Sequence, residues 1–169
     1  RVGSIASPVS DVTGSRVFDD ELDSWARARA RSMLQHCIDS LPEKSLVVSG
    51  GAKQGPDAWA TEFMVERGRA KDVRLYMLTG DVVMPPKRVL RSWVPEHPRI
   101  DTSDRQKWPL YRNEMMLDEV AAKAREWNAH PEVFGLEALW SQTKGTAQTL
   151  TYADRLGLPV VRSTWNRTI

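Results

Sequence analysis

The chain has 169 residues, of which 41% are hydrophobic and 27% are charged, a balance typical of one globular domain with its own core. Its 24 basic and 22 acidic residues give a net charge of +2, which argues against bulk attraction to nucleic acid or to an anionic membrane. The single cysteine, Cys37, excludes an internal disulfide, and no paired-histidine or cysteine-rich spacing predicts a metal site. We assign no metal and no cofactor.

Hydropathy and the N-terminal residues indicate in which compartment of the cell the protein is expected. No apolar run reaches the length of a membrane span, and the first residues lack the apolar stretch of a signal peptide. We therefore expect a soluble, cytoplasmic protein whose residues 1–169 form a single domain.

The residues before the first helix allow two placements of the first strand. Pro8 and Asp11 interrupt Val9–Val12, whereas Val2–Ala6 has the composition of a strand. Either the strand is short or an insertion follows it. Apolar residues at three-to-four spacing then predict an amphipathic helix over residues 20–40.

Strands and helices alternate along the rest of the chain. The predicted elements are a strand at Ser45–Ser49, a helix from Pro56 to the stop at Gly68, a strand at Val73–Leu78, a helix from Arg112 to Asn128, a strand at Phe134–Trp140, a helix at Thr146–Leu156 and a strand at Leu158–Arg162. This alternation predicts an α/β fold, a Rossmann-like doubly wound and mostly parallel sheet of about five strands with helices on both faces. Such sheets bind ligands at the carboxyl ends of their strands.

The stretch at about residues 80–111 is predicted to be a long loop or lid. It contains five of the ten prolines and shows no sustained periodicity. Trp93 and Trp108 lie in it among several arginines. The two indoles either stack a base over a pocket or anchor the loop to the core.

Two glycine-rich turns are candidates for a ligand site. Ser49–Asp57 runs from a strand through three glycines into a helix start, where free backbone N–H groups favour an anion, although no Walker-type Gly-Lys-Ser/Thr follows. Lys144–Thr146 repeats this context with a lysine suited to phosphate. The structural alternatives are tight strand-to-helix packing for the first turn and a capped turn for the second.

Two further segments with polar residues add to these turns. Arg112 and Asn113 open a predicted helix, where the alternative is an asparagine cap beside a surface arginine. Gly14, Ser15 and Arg16 precede the first helix and form a possible ligand-facing turn.

The four segments, in this order, resemble the SLOG superfamily, and within it the YspA/YpsA-type branch. The matching patterns are Gly-Ser-Arg, Ser-Gly-Gly-Ala-x-x-Gly-x-Asp, Arg-Asn-x-x-Met and Lys-Gly-Thr with a final Gly-x-Pro-Val strand, over about residues 12–163. The resemblance implies a pocket for a nucleotide or nucleotide derivative, such as a nucleoside phosphate, ADP-ribose or NAD-like molecule. Its ligand-binding residues would be Gly14, Ser15, Arg16, Ser49, Gly50, Gly51, Ala52, Gly55, Asp57, Arg112, Asn113, Lys144, Gly145 and Thr146.

The resemblance also assigns roles within this set. Gly50, Gly51, Ala52 and Gly55 would line the phosphate or ribose, and Asp57 would meet sugar hydroxyls or fix the loop. Lys144, Gly145 and Thr146 would hold phosphate. Related LOG phosphoribohydrolases are often dimers, so the family expectation includes a possible homodimer.

One departure from the LOG pattern bears on catalysis. Where those enzymes carry a catalytic glutamate after their glycine loop, this chain has Thr149. Asp57 and Glu114 are the leading substitutes, and no catalytic residue is assigned. Trp108–Tyr111 also replaces the smaller residues that the YspA-type pattern has before its Arg-Asn pair, which suggests a different ligand or a narrower entrance.

Three functions therefore stay open. The favoured hypothesis is a nucleotide-binding sensor or carrier, and the alternative is a hydrolase that cleaves the N-glycosidic bond of a nucleoside monophosphate. A nucleic-acid-binding module is the third, and the net charge of +2 argues against it.

Overall fold

The computed structural model describes residues 9–14, 24–50, 54–77, 90–93, 107–139 and 145–166. The strands in these ranges are β1 (Val9–Gly14), β2 (Leu46–Gly50), β3 (Val73–Met77), β4 (Leu90–Trp93), β5 (Pro131–Ala138) and β6 (Val160–Trp165). The helices are α1 (Ser24–Asp39), α2 (Pro56–Glu66), α3 (Trp108–Trp127) and α4 (Gly145–Arg155), and a short 3₁₀ turn (Ala70–Asp72) precedes β3.

The six strands form one sheet in the order β4-β3-β2-β1-β5-β6, and every neighbouring pair is parallel. The strand order reverses at β1, and parallel sheets commonly bind ligands at such a switch point. This is the predicted α/β, doubly wound, Rossmann-like architecture, with one strand more than the five expected.

Helices cover both faces of the sheet. On one face α1 and α2 bury Leu34 and Phe63 against β1, β2 and β5. On the other face α3 and α4 bury Leu117 and Leu150. Both faces of a parallel sheet must be covered in this way, because its strands are apolar on each side. In the described part of the chain no helix is long and apolar enough to cross a membrane.

The expectation that Asp11 interrupts a strand at Val9–Val12 was wrong. β1 runs from Val9 to Gly14 straight through Asp11, and its backbone pairs with β2 on one side and β5 on the other. Strand pairing uses backbone groups, so an acidic side chain does not end a strand that is held from both sides. The alternative segment, Val2–Ala6, lies outside the described residues.

The stretch at residues 80–111 is not loop throughout. It contains β4 and the first turn of α3, which begins at Trp108 rather than at Arg112. Pro109 accounts for this earlier start, because the first turn of a helix needs no backbone N–H from that residue. The side chain of Trp108, the first residue of α3, is buried in the core. This agrees with the alternative in which the indole anchors the chain to the core. The side chain of Trp93 and the rest of the predicted lid lie outside the described residues.

Other boundaries shift by a few residues. β5 begins at Pro131 instead of Phe134, and β6 occupies Val160–Trp165 instead of Leu158–Arg162. Predicted residues 20–23 of the first helix are outside the described ranges, and α1 ends at Asp39. Shifts of this size are usual where a strand extends beyond its apolar residues.

Gly14 lies where the end of β1 meets the start of α2. A Cβ atom at this position would lie 2.7 Å from Cβ of Pro56 and 3.0 Å from the carbonyl oxygen of Leu136. Neither the proline ring nor the backbone oxygen can move aside easily. We expect Gly14→Ala to lower the free energy of unfolding by roughly 1–3 kcal/mol, as measured by urea denaturation.

Gly145→Ala is the matched control, since a Cβ atom at this first residue of α4 meets no described residue within 4 Å. Its free energy of unfolding should stay within about 0.5 kcal/mol of wild type. Equal stability of the two variants would contradict the close packing of β1 against α2.

Candidate functional site

The candidate site is centred on Gly50, the last residue of β2. A Cβ atom built at Gly50 would lie 2.8 Å from Oδ2 of Asp57 and 3.3 Å from Cζ of Arg112. The carboxylate and the guanidinium therefore approach the same point of the backbone from two helices, α2 and α3. A side chain at this position would have to push one or both of these groups aside.

Asp57 is placed by the turn between β2 and α2. It lies in the first turn of α2, directly after Pro56, and is only 8% exposed. The buried hydroxyl of Ser49 lies 3.4 Å from the carbonyl oxygens of both Val12 and Asp57, so it is placed to donate to either. The carbonyl oxygen of Gly55 accepts the first hydrogen bond of the helix, from the N–H of Trp59. These contacts fix α2 at the carboxyl ends of β1 and β2.

Arg112 and Asn113 lie on α3 and are both buried. Oδ1 of Asn113 accepts hydrogen bonds from Nε of Arg112 at 3.4 Å and from Nη2 at 3.5 Å. Because α3 begins at Trp108, Asn113 is inside the helix, and the interpretation of this pair as a cap beside a surface arginine was wrong. Arg112 is a buried cation, only 5% exposed.

Asp57, Arg112 and a third residue, Asp11, form a cluster of charged residues. Asp11 was not predicted as a site residue from the sequence. It is fully buried in β1, and neither of its carboxylate oxygens has a hydrogen-bond partner among the described residues. Burial raises the pKa of Asp11 well above its usual range, and the charge of Asp57 raises it further, whereas Arg112 lowers it. The available signal was a carboxylate inside the apolar run Val9–Val12, which we interpreted as an interruption.

The register of the sheet explains how Asp11 reaches the cluster. Asp11 pairs with Val48 of β2, and Gly50 lies two residues beyond Val48. Since side chains alternate along a strand, Asp11, Val48 and Gly50 share one face of the sheet. This is the face that α3 covers.

The residues predicted at the start of α4 lie at the same edge of the sheet. Gly145 and the buried Thr146 form its first turn, which follows β5. Thr149, where the resemblance to LOG enzymes would place a glutamate, donates its hydroxyl to the carbonyl oxygen of Gly145 at 2.8 Å. It supplies no acid or base.

The two catalytic candidates differ in placement. Asp57 lies beside Gly50, as described above. Glu114 is half-buried on α3, two residues after Arg112, and residues at that spacing point about 200° apart around a helix. The geometry therefore favours Asp57 over Glu114 as a group that faces a ligand together with Arg112.

Five predicted site residues lie outside the described residues: Ser15, Arg16, Gly51, Ala52 and Lys144. The structure thus brings Gly14, Ser49, Gly50, Gly55, Asp57, Arg112 and Asn113 to one end of the sheet. In the described ranges no three histidine, cysteine or acidic side chains are grouped so as to hold a metal ion.

No family model, curated protein or solved structure matches this chain. Its function is therefore inferred from the geometry at Gly50 and from the sequence motifs.

The burial of Asp11 makes the stability of the protein dependent on pH. An acid whose pKa is raised by folding contributes stability at low pH, which is lost as pH rises through the folded-state pKa. We expect the free energy of unfolding of wild type, relative to Asp11→Val, to fall by up to about 1.4 kcal/mol per pH unit from about pH 4 upward, until Asp11 ionises in the folded protein. Urea denaturation across this range measures the difference. A difference between the two proteins that does not change with pH would show that Asp11 titrates normally.

Proposed function

We propose that the protein binds a nucleotide or nucleotide derivative at the carboxyl end of β2 and acts as a sensor or carrier. The observation that carries this proposal is the meeting of Asp57 and Arg112 at Gly50, beside the switch point of a doubly wound sheet. Ligands of such sheets bind at this edge. The likeness of the four sequence motifs to the SLOG superfamily supports the same ligand class.

The chemistry of the two charged groups suits two parts of a nucleotide, its phosphate and its ribose. A guanidinium offers several N–H donors in one plane and pairs well with phosphate oxygens. A carboxylate accepts hydrogen bonds from neighbouring sugar hydroxyls, as acidic residues do in other dinucleotide sites. Arg112 would therefore hold a phosphate and Asp57 the ribose, while Gly50 lets the ligand approach the backbone.

Hydrolysis of an N-glycosidic bond is the second candidate, and the buried Asp57 is the observation in its favour. A carboxylate next to the sugar is the group that such a reaction needs for general acid–base work or for stabilising positive charge on the ribose. Product analysis of every bound nucleotide separates the two functions. A ligand recovered intact supports a sensor or carrier, and release of free base supports the hydrolase.

A thermal-shift screen tests the proposal first, with nucleoside monophosphates, cyclic nucleotides, NAD and ADP-ribose. Ligand at 100 times its Kd stabilises the folded state by about 2.7 kcal/mol, which gives a clear rise in Tm. No rise with any of these compounds would contradict the proposed function.

Substitution of the two charged groups tests their placement in the site. We expect Asp57→Asn and Arg112→Gln each to weaken binding of the best nucleotide by about tenfold or more, because hydrogen bonds to charged groups contribute roughly 1.5–3 kcal/mol. Isothermal titration calorimetry measures the loss, and circular dichroism checks that each variant is folded.

An ion pair on the surface provides matched controls. Arg67 and Asp39 pair through their side chains, and Asp39 is 56% exposed. Asp39→Asn and Arg67→Gln remove the same charges away from Gly50 and should leave the affinity unchanged. Similar losses in all four variants would show that net charge, rather than the site, controls binding.

A further inference from the structure

Asp11 has no role in the function proposed above, although it is the most deeply buried acid of the cluster. It is fully buried in the central strand, with both carboxylate oxygens unpartnered among the described residues. An acidic side chain in this position costs stability unless something compensates its charge or removes it.

The surroundings of Asp11 leave its charge poorly compensated. Its neighbours in the sheet, Val48 of β2 and Val133 of β5, are apolar and fully buried. Of the described charged groups, Asp57 from α2 repels its negative charge and Arg112 from α3 attracts it. Among these described groups, the positive charge of Arg112 is therefore shared by two carboxyl groups, those of Asp11 and Asp57.

We propose that Asp11 is a positioning residue that sets the charge of the candidate site and thereby its affinity for anions. With Asp11 neutral, the charges of Arg112 and Asp57 cancel, so these three described residues carry no net charge. With Asp11 ionised, two carboxylates compete with the ligand for Arg112, and the cluster carries one negative charge. The inference rests on the proposed function, since it takes an anionic ligand at this site.

Binding of an anion is then coupled to protonation. The raised pKa of Asp11 places its ionisation above the range of an ordinary aspartate. A negatively charged ligand on Arg112 raises that pKa further, so the complex takes up a proton wherever Asp11 is ionised in the unliganded protein. Affinity should fall by up to about tenfold per pH unit once Asp11 ionises.

ADP-ribose is a suitable probe, because neither of its two bridging phosphates has a proton that titrates near neutral pH. Its affinity is measured by isothermal titration calorimetry from about pH 5 to about pH 8, in pairs of buffers that differ in ionisation enthalpy. The proteins are wild type, Asp11→Asn, Asp11→Val and the surface control Asp39→Asn. Asp11→Asn keeps the shape of the side chain, and Asp11→Val replaces it with a residue that suits a buried strand, so the two variants guard against misfolding of either.

The expected result is an affinity that falls with rising pH, accompanied by proton uptake, in wild type and Asp39→Asn only. Asp11→Asn and Asp11→Val should bind ADP-ribose at high pH as tightly as at low pH. The same pH dependence in all four proteins would overturn this inference and leave nucleotide binding in place. Failure of all four proteins to bind ADP-ribose at any pH would overturn the nucleotide proposal for this probe and, with it, this inference.

Discussion

The candidate site depends on one steric constraint, the lack of a side chain where β2 ends. Gly50 allows a carboxylate and a guanidinium from two different helices to approach the same backbone atoms. The helix that brings Asp57 is itself seated by a second close contact, that of Pro56 against Gly14. At the ends of these adjacent strands, Gly14 therefore packs against the start of α2, and Gly50 lies beside a charged group from each of α2 and α3. The charges that make this edge chemically distinctive follow from that packing.

Much of this arrangement was predictable because local signals and tertiary structure agree. A short apolar run followed by glycines and Pro56 predicts a strand, a turn and a helix start, and β2 and α2 have these positions. The alternation of elements then fixes the parallel sheet and the edge at which the turns meet. The motifs identified Asp57 and Arg112 individually. Because these residues are far apart in the chain, only the three-dimensional structure shows that both lie beside Gly50.

Three features escaped prediction, each for a physical reason. β4 is short and lies among prolines, so periodicity had too few residues to act on. The start of α3 was missed because Pro109, interpreted as part of a loop, occupies the one part of a helix that tolerates proline. Asp11 was interpreted as a break because aspartate is rare in strands, but burial from both sides of the sheet outweighs that preference. Its cost to stability is the kind that proteins retain at functional positions.

The central position of β1 has a consequence for how the site comes into being. β1 pairs with β2, the next strand in the chain, and with β5, which lies near the other end of the described chain. The second pairing closes a long loop, so it is slow and depends on most of the chain being ordered first. Arg112 takes its place over β1 only when α3 packs on the sheet. The candidate site is therefore a product of global folding, and no fragment that lacks α3 and β5 contains it.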